Sequence, residues 1–413
     1  MTSHTPAVTS SGASRDASTL TAPRSLAANH PLVDGRTTAS PLVRALRGDR
    51  PERLPVWFMR QAGRSLPEYR SLREGIGMLD SCLNPPIATE ITLQPVRRHG
   101  VDAAIFFSDI VVPLRLAGVD VDIKPGVGPV MDQAYRTPED VARLVERTLD
   151  DDALAPIREA VALTVAELGG TPLIGFGGAP FTLAAYLVEG RPSRDHLAAR
   201  TLMHADPQTW DRLVAWTADL TGAFLRAQVL AGASAVQLFD SWAGSLSLAD
   251  YQARVAPSSA RALSAVAGLR AVANVPAGAD LSAGGPGDGD GDGTGDGAGV
   301  GVPAIHFGTG TGHLLGAMRD VLTTAGIADR TVGVDYRTPL DEALALVGDG
   351  VSLQGNIDPA LLAAPWDVLE AHVRDVVARG AQAPGHVVNL GHGVPPETDP
   401  AVLTRVVETV HAL

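Results

Sequence analysis

A single cysteine, Cys82, stands in 413 residues, which excludes an intramolecular disulfide and any metal site built on several thiolates. A lone thiol of this kind is ordinarily a small buried hydrophobe. Aromatic residues are sparse, at 4 % of the chain. No stretch approaches the roughly 18 uninterrupted apolar residues of a membrane span. The first thirty residues, MTSHTPAVTSSGASRDASTLTAPRSLAANH, lack the basic start and apolar core of a secretory signal. These absences point to a soluble, cytoplasmic protein without membrane contact. Positive charge is also short. The net charge of −13 repels a polyanion on average, which disfavours nucleic acid as a partner. Neither a G-x-G-x-x-G after the first apolar run nor a G-K-S/T after a glycine turn is present, so two common nucleotide cradles are missing.

What the chain does contain is apolar bulk, 45 % of its residues, enough for a large core. Two segments fall outside that description. Residues 1–36 are rich in Ser, Thr and Ala and bury too little to offset their chain entropy, so they are expected to form a disordered tail. Residues 277–301 form a Gly/Asp tract with five aspartates and no base, expected to be a flexible insertion inside one domain spanning 37–413. Asp288, Asp290, Asp292 and Gly293 open like a calcium loop. The twelfth position, however, is Gly299 rather than the glutamate that closes one.

Between the two segments a regularity emerges. Short, nearly continuous apolar runs recur at 54–59, 103–109, 172–177, 235–241, 304–309, 330–336, 351–356 and 386–392, as strands buried on both faces require. Helix-like stretches separate them. Asp206-Pro207, Thr137-Pro138 and Asp358-Pro359 each offer a cap followed by a first-turn proline, predicting helices over 206–233, 137–149 and 358–380. Eight strands alternating with helices predict an α/β fold, a (β/α)₈ TIM barrel of one domain; an open doubly wound sheet is the alternative. In a barrel, function gathers where the strands end. Those ends read Arg60, Asp109, Gly177-Gly178-Ala179, Ser241, Thr309, Asp335, Asn356 and His392.

Several of these carry chemistry. Arg60 and Arg64 offer planar cationic forks matched to carboxylate or phosphate, calling for a ligand with more than one acidic group. Ion pairing with Glu68 or Glu74 is the bland alternative for them. Asp109 follows two phenylalanines, where a carboxylate needs donors or a cation to meet it. His392 stands between two glycines that permit close approach of a ligand. Tyr186 lies on the apolar helix after the GFGG turn. His306 ends its run, but no cysteine follows, so a His-x-Cys zinc site is not available.

The stretches PVWFMRQAGRSLPEYR and GFGGAPFTLAAYLVEG resemble the two signature segments of the uroporphyrinogen decarboxylase family. FFSDI, VQLFDSWAG, LQGNIDP and VVNLGHG are similar to further motifs of that family in the same order, so the resemblance covers residues 38–413. It implies a (β/α)₈ barrel, a homodimer, and catalysis without metal or organic cofactor. The implied reaction is loss of CO₂ from the four acetate arms of uroporphyrinogen III, giving coproporphyrinogen III in haem biosynthesis. By position, Arg60 and Arg64 resemble the substrate-carboxylate clamps, with Gln61, Ala62 and Gly63 between them in the binding segment. Asp109 is similar to the central aspartate, Tyr186 and Ser241 to the active-site hydroxyls, and His392 to a substrate-contacting histidine. Asp109, Arg60 and Tyr186 are the implied catalytic group. Leu79 occupies a pocket position where many bacterial members carry phenylalanine. Two rivals follow from the same resemblance: a corrinoid methyltransferase of the superfamily, which would need zinc, and a tetrapyrrole-binding protein without turnover.

Overall fold

A computed structural model of the chain describes residues 25–271 and 300–413. Seven of the eight apolar runs become strands: β1 (Ala104–Ile105), β2 (Leu173–Gly178), β3 (Ala235–Phe239), β4 (Ala304–Phe307), β5 (Arg330–Gly333), β6 (Ser352–Gln354) and β7 (His386–Val387). They form one curled, all-parallel sheet, ordered as in the chain. A doubly wound sheet would reverse direction at a switch point; this order has no reversal. β2, β4 and β6 are buried at every position, as continuous apolar runs require when helices cover one face and a second layer of side chains fills the other.

The helix Pro207–Leu230 begins as its sequence predicts, with Asp206 accepting from the Thr209 N–H at 3.1 Å. Its Gln228 carboxamide bonds both the N–H and the C=O of Phe176, at 3.0 and 2.9 Å, where β2 has outrun the short β1. Gly175 makes room for this, since a Cβ there would lie 3.0 Å from Gln228 Oε1. The predicted helix over 358–380 divides. Asp358 caps only the short turn Pro359–Ala363, and Trp366–Gly380 forms the helix proper. Pro365 causes the break, because it pushes Ala364 into extended backbone and lacks an N–H.

The first apolar run, 54–59, is held differently. Val56 makes a single parallel bridge with Val388. The N–H of Val388 donates to Pro55 O at 2.9 Å, Trp57 N–H to Val388 O at 3.2 Å and Val394 N–H to Met59 O at 2.8 Å. On the other side, Asp102 N–H donates to Val56 O at 2.9 Å. Beyond that point the Gln61 carboxamide takes the place of backbone pairing. It accepts from Phe58 N–H and donates to Ala103 O, both at 3.0 Å. Inside the curl, Trp57 Nε1–H donates to Gln354 Oε1 at 3.1 Å, and Gln354 Nε2–H to Gln237 Oε1 at 3.0 Å. β3 and β6 are not sheet neighbours, so this contact crosses the interior.

The expected tail boundary at residue 36 falls too late. Ser25 bridges Arg270, Leu26 and Leu32 are buried, and the buried His30 Nε2 sits 2.9 Å from Val229 O. These few apolar anchors tie down a segment whose composition reads as tail. Residues 1–24 lie outside the described residues, as do 272–299, which hold the Gly/Asp tract up to Gly299 and its calcium-like aspartates. Arg270–Ala271 and the last two residues of that tract, Val300–Gly301, pair antiparallel just before β4, at the end of the sheet away from the strand C-termini.

Candidate active site

Beyond the C-terminal ends of the strands lies a cleft of about 550 Å³. Its wall includes Arg60, Tyr186, Ser241, Thr309 and His392, five of the residues expected there from sequence. Arg60 ends the first run in left-handed backbone, φ 62°. Its side chain is exposed and has no ion pair or hydrogen bond among the described residues. It lies across Gly393, where a Cβ would sit 2.4 Å from Arg60 Cδ and 2.7 Å from Cγ. The glycine beside His392 thus makes the trough in which the arginine rests.

Asp109 follows β1, next to the cleft-lining Ile110, and is only partly exposed. One carboxylate oxygen, Oδ1, accepts from Val111 N–H at 3.0 Å. Burial pushes its pKa above the usual carboxylate range, while the Val111 bond and the Arg60 charge oppose that rise. Tyr186 lies on the helix Pro180–Glu189, its ring stacked on Trp242 with centroids 3.8 Å apart. Burial first, then the negative charge of Asp109, push the phenol pKa far up, so it is a neutral O–H donor at physiological pH. That hydroxyl makes no hydrogen bond to the described protein. His392 is open to the cleft, yet desolvation by its neighbours and then the Arg60 charge lower its pKa. Arg60, Asp109, Tyr186 and His392 therefore act on one another electrostatically across one site.

Other expected residues are placed elsewhere. Arg64 is exposed and has no ion pair among the described residues, but it does not line the cleft. Glu68, its suggested structural partner, is taken by Arg98 at 2.6 Å. Gln61 is fully buried, its carboxamide bonded to the Phe58 and Ala103 backbones, and it does not line the cleft. Ala62 and Gly63 form the half-buried turn beneath Arg60, where a Cβ on Gly63 would meet Arg60 O at 2.9 Å. Leu79 is buried in the helix Met78–Cys82 and does not line the cleft. Phe106 and Phe107 also lie in the core, with Phe107 edge-on to Tyr69 at 5.8 Å. Asp335 is held on the rim by Arg337 and the Gly310 N–H, and the Asn356 amide donates to Asp335 O and Thr338 O at 2.7 Å. His306 is fully buried, its Nε2 3.9 Å from Asp240 Oδ2. Among the described residues no three His, Cys, Asp or Glu side chains gather as metal ligands.

Sequence reasoning passed over Trp242, Arg194 and His196, all of which line the cleft. Trp242 follows Ser241 directly. The polar cluster Ser193-Arg194-Asp195-His196, straight after the Tyr186 helix, was the available signal for the others.

Comparison with known proteins places this arrangement. The family model for uroporphyrinogen decarboxylase (URO-D) matches residues 37–413. A uroporphyrinogen decarboxylase of Arthrobacter sp. is 65 % identical over 381 residues, covering 92 % of this chain and 99 % of the relative. The protein of the same name from Leifsonia xyli is 63 % identical, covering 92 % and 97 %, and that from Salinispora tropica is 54 % identical, covering 92 % of each. Among solved structures, a methyltransferase from Methanosarcina mazei superposes with a TM-score of 0.68 at 16 % identity, covering 91 % of this chain and 98 % of its own, a likeness of fold alone.

Proposed function

This chain belongs to the uroporphyrinogen decarboxylase family, and we propose that Arg60, Asp109 and Tyr186 carry out its chemistry in the cleft described above. It is a carboxy-lyase that converts uroporphyrinogen III to coproporphyrinogen III in porphyrin and haem biosynthesis. The single observation that carries the site assignment is Arg60, a cation without a partner among the described residues, lining a cleft beside the half-buried carboxylate of Asp109.

The substrate is a ring of four pyrroles bearing eight carboxylates. Its four N–H groups turn inward together and donate to the ionised Asp109, whose Oδ1 is already oriented by Val111. Arg60 engages a carboxylate arm, and Tyr186 and Ser241 offer hydroxyls to the same surface. His392 contacts the arm nearest the last strand. Arg64, exposed just beyond the cleft, supplies a second positive charge for arms that reach past the rim.

Each decarboxylation needs an electron sink. A proton adds to the ring carbon next to the one bearing the acetate, which makes the ring cationic and places positive charge on the acetate-bearing carbon. The bond from the acetate CH₂ to its carboxylate then breaks, CO₂ leaves, and the bonding pair quenches the cation as an exocyclic methylene. Transfer of the proton from ring carbon to that methylene gives the methyl group, so one proton is consumed per acetate. Asp109 stabilises the cationic ring more than the neutral one, the differential interaction that catalysis requires. The low dielectric around it strengthens the effect.

In this reading the 54–59 segment, bonded to β7 on one side and to the start of β1 on the other, is the eighth stave of a closed (β/α)₈ barrel forming one domain, onto which residues 25–36 also pack. The family resemblance adds a homodimer as the assembled form, to be measured by sedimentation. The decisive experiment is anaerobic incubation of the purified protein with uroporphyrinogen III, followed by oxidation and separation of the porphyrins. Coproporphyrin III is expected; recovery of the eight-carboxylate porphyrin alone would refute the assignment.

A further inference from the structure

Among the described residues, only two that are not glycine adopt left-handed backbone: Arg60, φ 62°, and His196, φ 50°. Both line the same cleft. Such backbone persists where surrounding contacts over-determine it. His196 meets that condition: its N–H donates to Ser193 Oγ at 3.1 Å, and its ring packs on Trp242 with centroids 4.3 Å apart. Its Nδ1 lies 3.2 Å from Ser245 Oγ. The Ser245 hydroxyl donates its one proton to Trp242 O at 2.9 Å, so its oxygen must accept, and the histidine proton sits on Nδ1. Nε2 is left buried without a partner in a ring only 5 % exposed. Two residues earlier, Arg194 lines the cleft and is exposed, with no ion pair among the described residues.

We propose that Arg194 and His196 form a second carboxylate-binding corner, which holds one acidic arm of the substrate apart from the Arg60 site. The inference rests on the decarboxylase reading, which supplies a ligand with more acidic arms than Arg60 alone can meet. Arg194 provides the fixed charge, and His196 the directed contact inside the wall. In the free protein, burial favours the neutral ring, assisted by Arg200 and opposed by Glu189 and Asp195. A carboxylate arriving at Nε2 adds to that opposition, so the ring takes up a proton as the arm seats. Asp195, exposed on the same rim, is an anion that works against the corner.

The test uses three full-length variants: Arg194→Gln, His196→Asn and Asp195→Asn. Arg194 is exposed, so its replacement leaves the fold intact, and asparagine tolerates the left-handed backbone at 196. Binding of uroporphyrinogen III and of coproporphyrinogen III is measured anaerobically, beside KM and kcat for the former. Arg194→Gln and His196→Asn are expected to weaken uroporphyrinogen binding about tenfold each, the loss of one charge-assisted contact, with kcat nearly unchanged. Asp195→Asn is expected to tighten it. Weakening toward both compounds identifies a propionate arm, because coproporphyrinogen keeps its propionates; weakening toward uroporphyrinogen alone identifies an acetate arm. Parent-like binding in Arg194→Gln and His196→Asn, or weakening by Asp195→Asn, overturns the corner. Failure of the parent protein to turn over uroporphyrinogen would instead overturn the decarboxylase reading, while the binding measurements would still decide the corner.

Discussion

Gly393→Ala separates the arginine's placement from the stability of the fold. The backbone at Gly393 is not left-handed, so an alanine there suffers no conformational strain of its own. Its Cβ, however, would lie 2.4 Å from Arg60 Cδ, 2.7 Å from Cγ and 3.0 Å from Nε. Carbon atoms rest about 3.5–4.0 Å apart, so the arginine stem must move by roughly 1 Å or more. Arg60 is exposed and has no partner among the described residues, so it can swing away with little loss of stability. The guanidinium then misses its carboxylate. A hydrogen bond to a charged group is worth about 1.5–3 kcal/mol, which corresponds to about 10- to 100-fold in kcat/KM. Anaerobic steady-state kinetics on uroporphyrinogen III, paired with a thermal melt, read the two effects separately. The expected result is a large kinetic loss with a melting temperature within about 2 °C of the parent. In an Arg60→Ala background the same glycine change should then do almost nothing, because both act through one side chain. Unchanged kinetics, or additive losses in the double variant, would refute the idea that Gly393 seats a substrate-binding arginine.

Further outcomes follow from the same geometry. Asp109→Asn is expected to lower kcat by about 100- to 1,000-fold with modest loss of binding. Because the folded pKa of Asp109 is raised, its ionised form destabilises the fold, an effect that sets in as pH rises past the unfolded value and persists above the folded one. The asparagine variant should therefore melt higher than the parent near neutral pH, with the gap closing in acid; a lower melting temperature at neutral pH would contradict this. Tyr186→Phe should reduce kcat without lowering stability, since the hydroxyl bonds nothing among the described residues, and a drop in melting temperature would point to a structural role. Gln61→Ala orphans the Phe58 N–H and the Ala103 C=O, so denaturant unfolding should report a loss of about 2–6 kcal/mol. Less than about 1 kcal/mol would mean that water replaces the stitch.

The strands were legible because both faces of a parallel sheet are covered. Runs such as AVQLF and PLIGFG therefore carry no alternation to blur them. The 54–59 run was legible as an element but not in its manner of pairing. Pro55 has no N–H to give, and the N–H groups of Val56, Phe58 and Met59 go to the side chains of Asp102, Gln61 and Asn389, the last at 2.9 Å. Long-range use of a carboxamide leaves no mark in a sequence. It also sets Gln61, a residue beside two arginines, in the wall behind them. Asp109, Tyr186 and His392 were found because each stands at the end of an apolar run or on a helix that follows one. Arg194 and His196 were not, because they sit on a loop whose position depends on Trp242 and Ser245, about 50 residues later in the chain. Helix starts followed their caps at Thr137 and Asp206, whereas Asp358 capped only a short turn because Pro365 intervened.

The bonds that hold residues 55–59 against 388–394 set an order on synthesis. Met59 and the carboxamide of Asn389 that receives its N–H are 330 residues apart. At about 5–20 residues per second a ribosome needs roughly 15–70 s to travel that distance. Throughout this interval the nascent chain carries Trp57 and Phe58, both destined for full burial, without the segment that will cover them. A message cut short before codon 388 would thus release a polypeptide that contains Arg60, Asp109 and Tyr186 yet has an unsealed seam and no trough for the arginine. The codons for residues 388–394 decide whether those earlier residues ever become an enzyme.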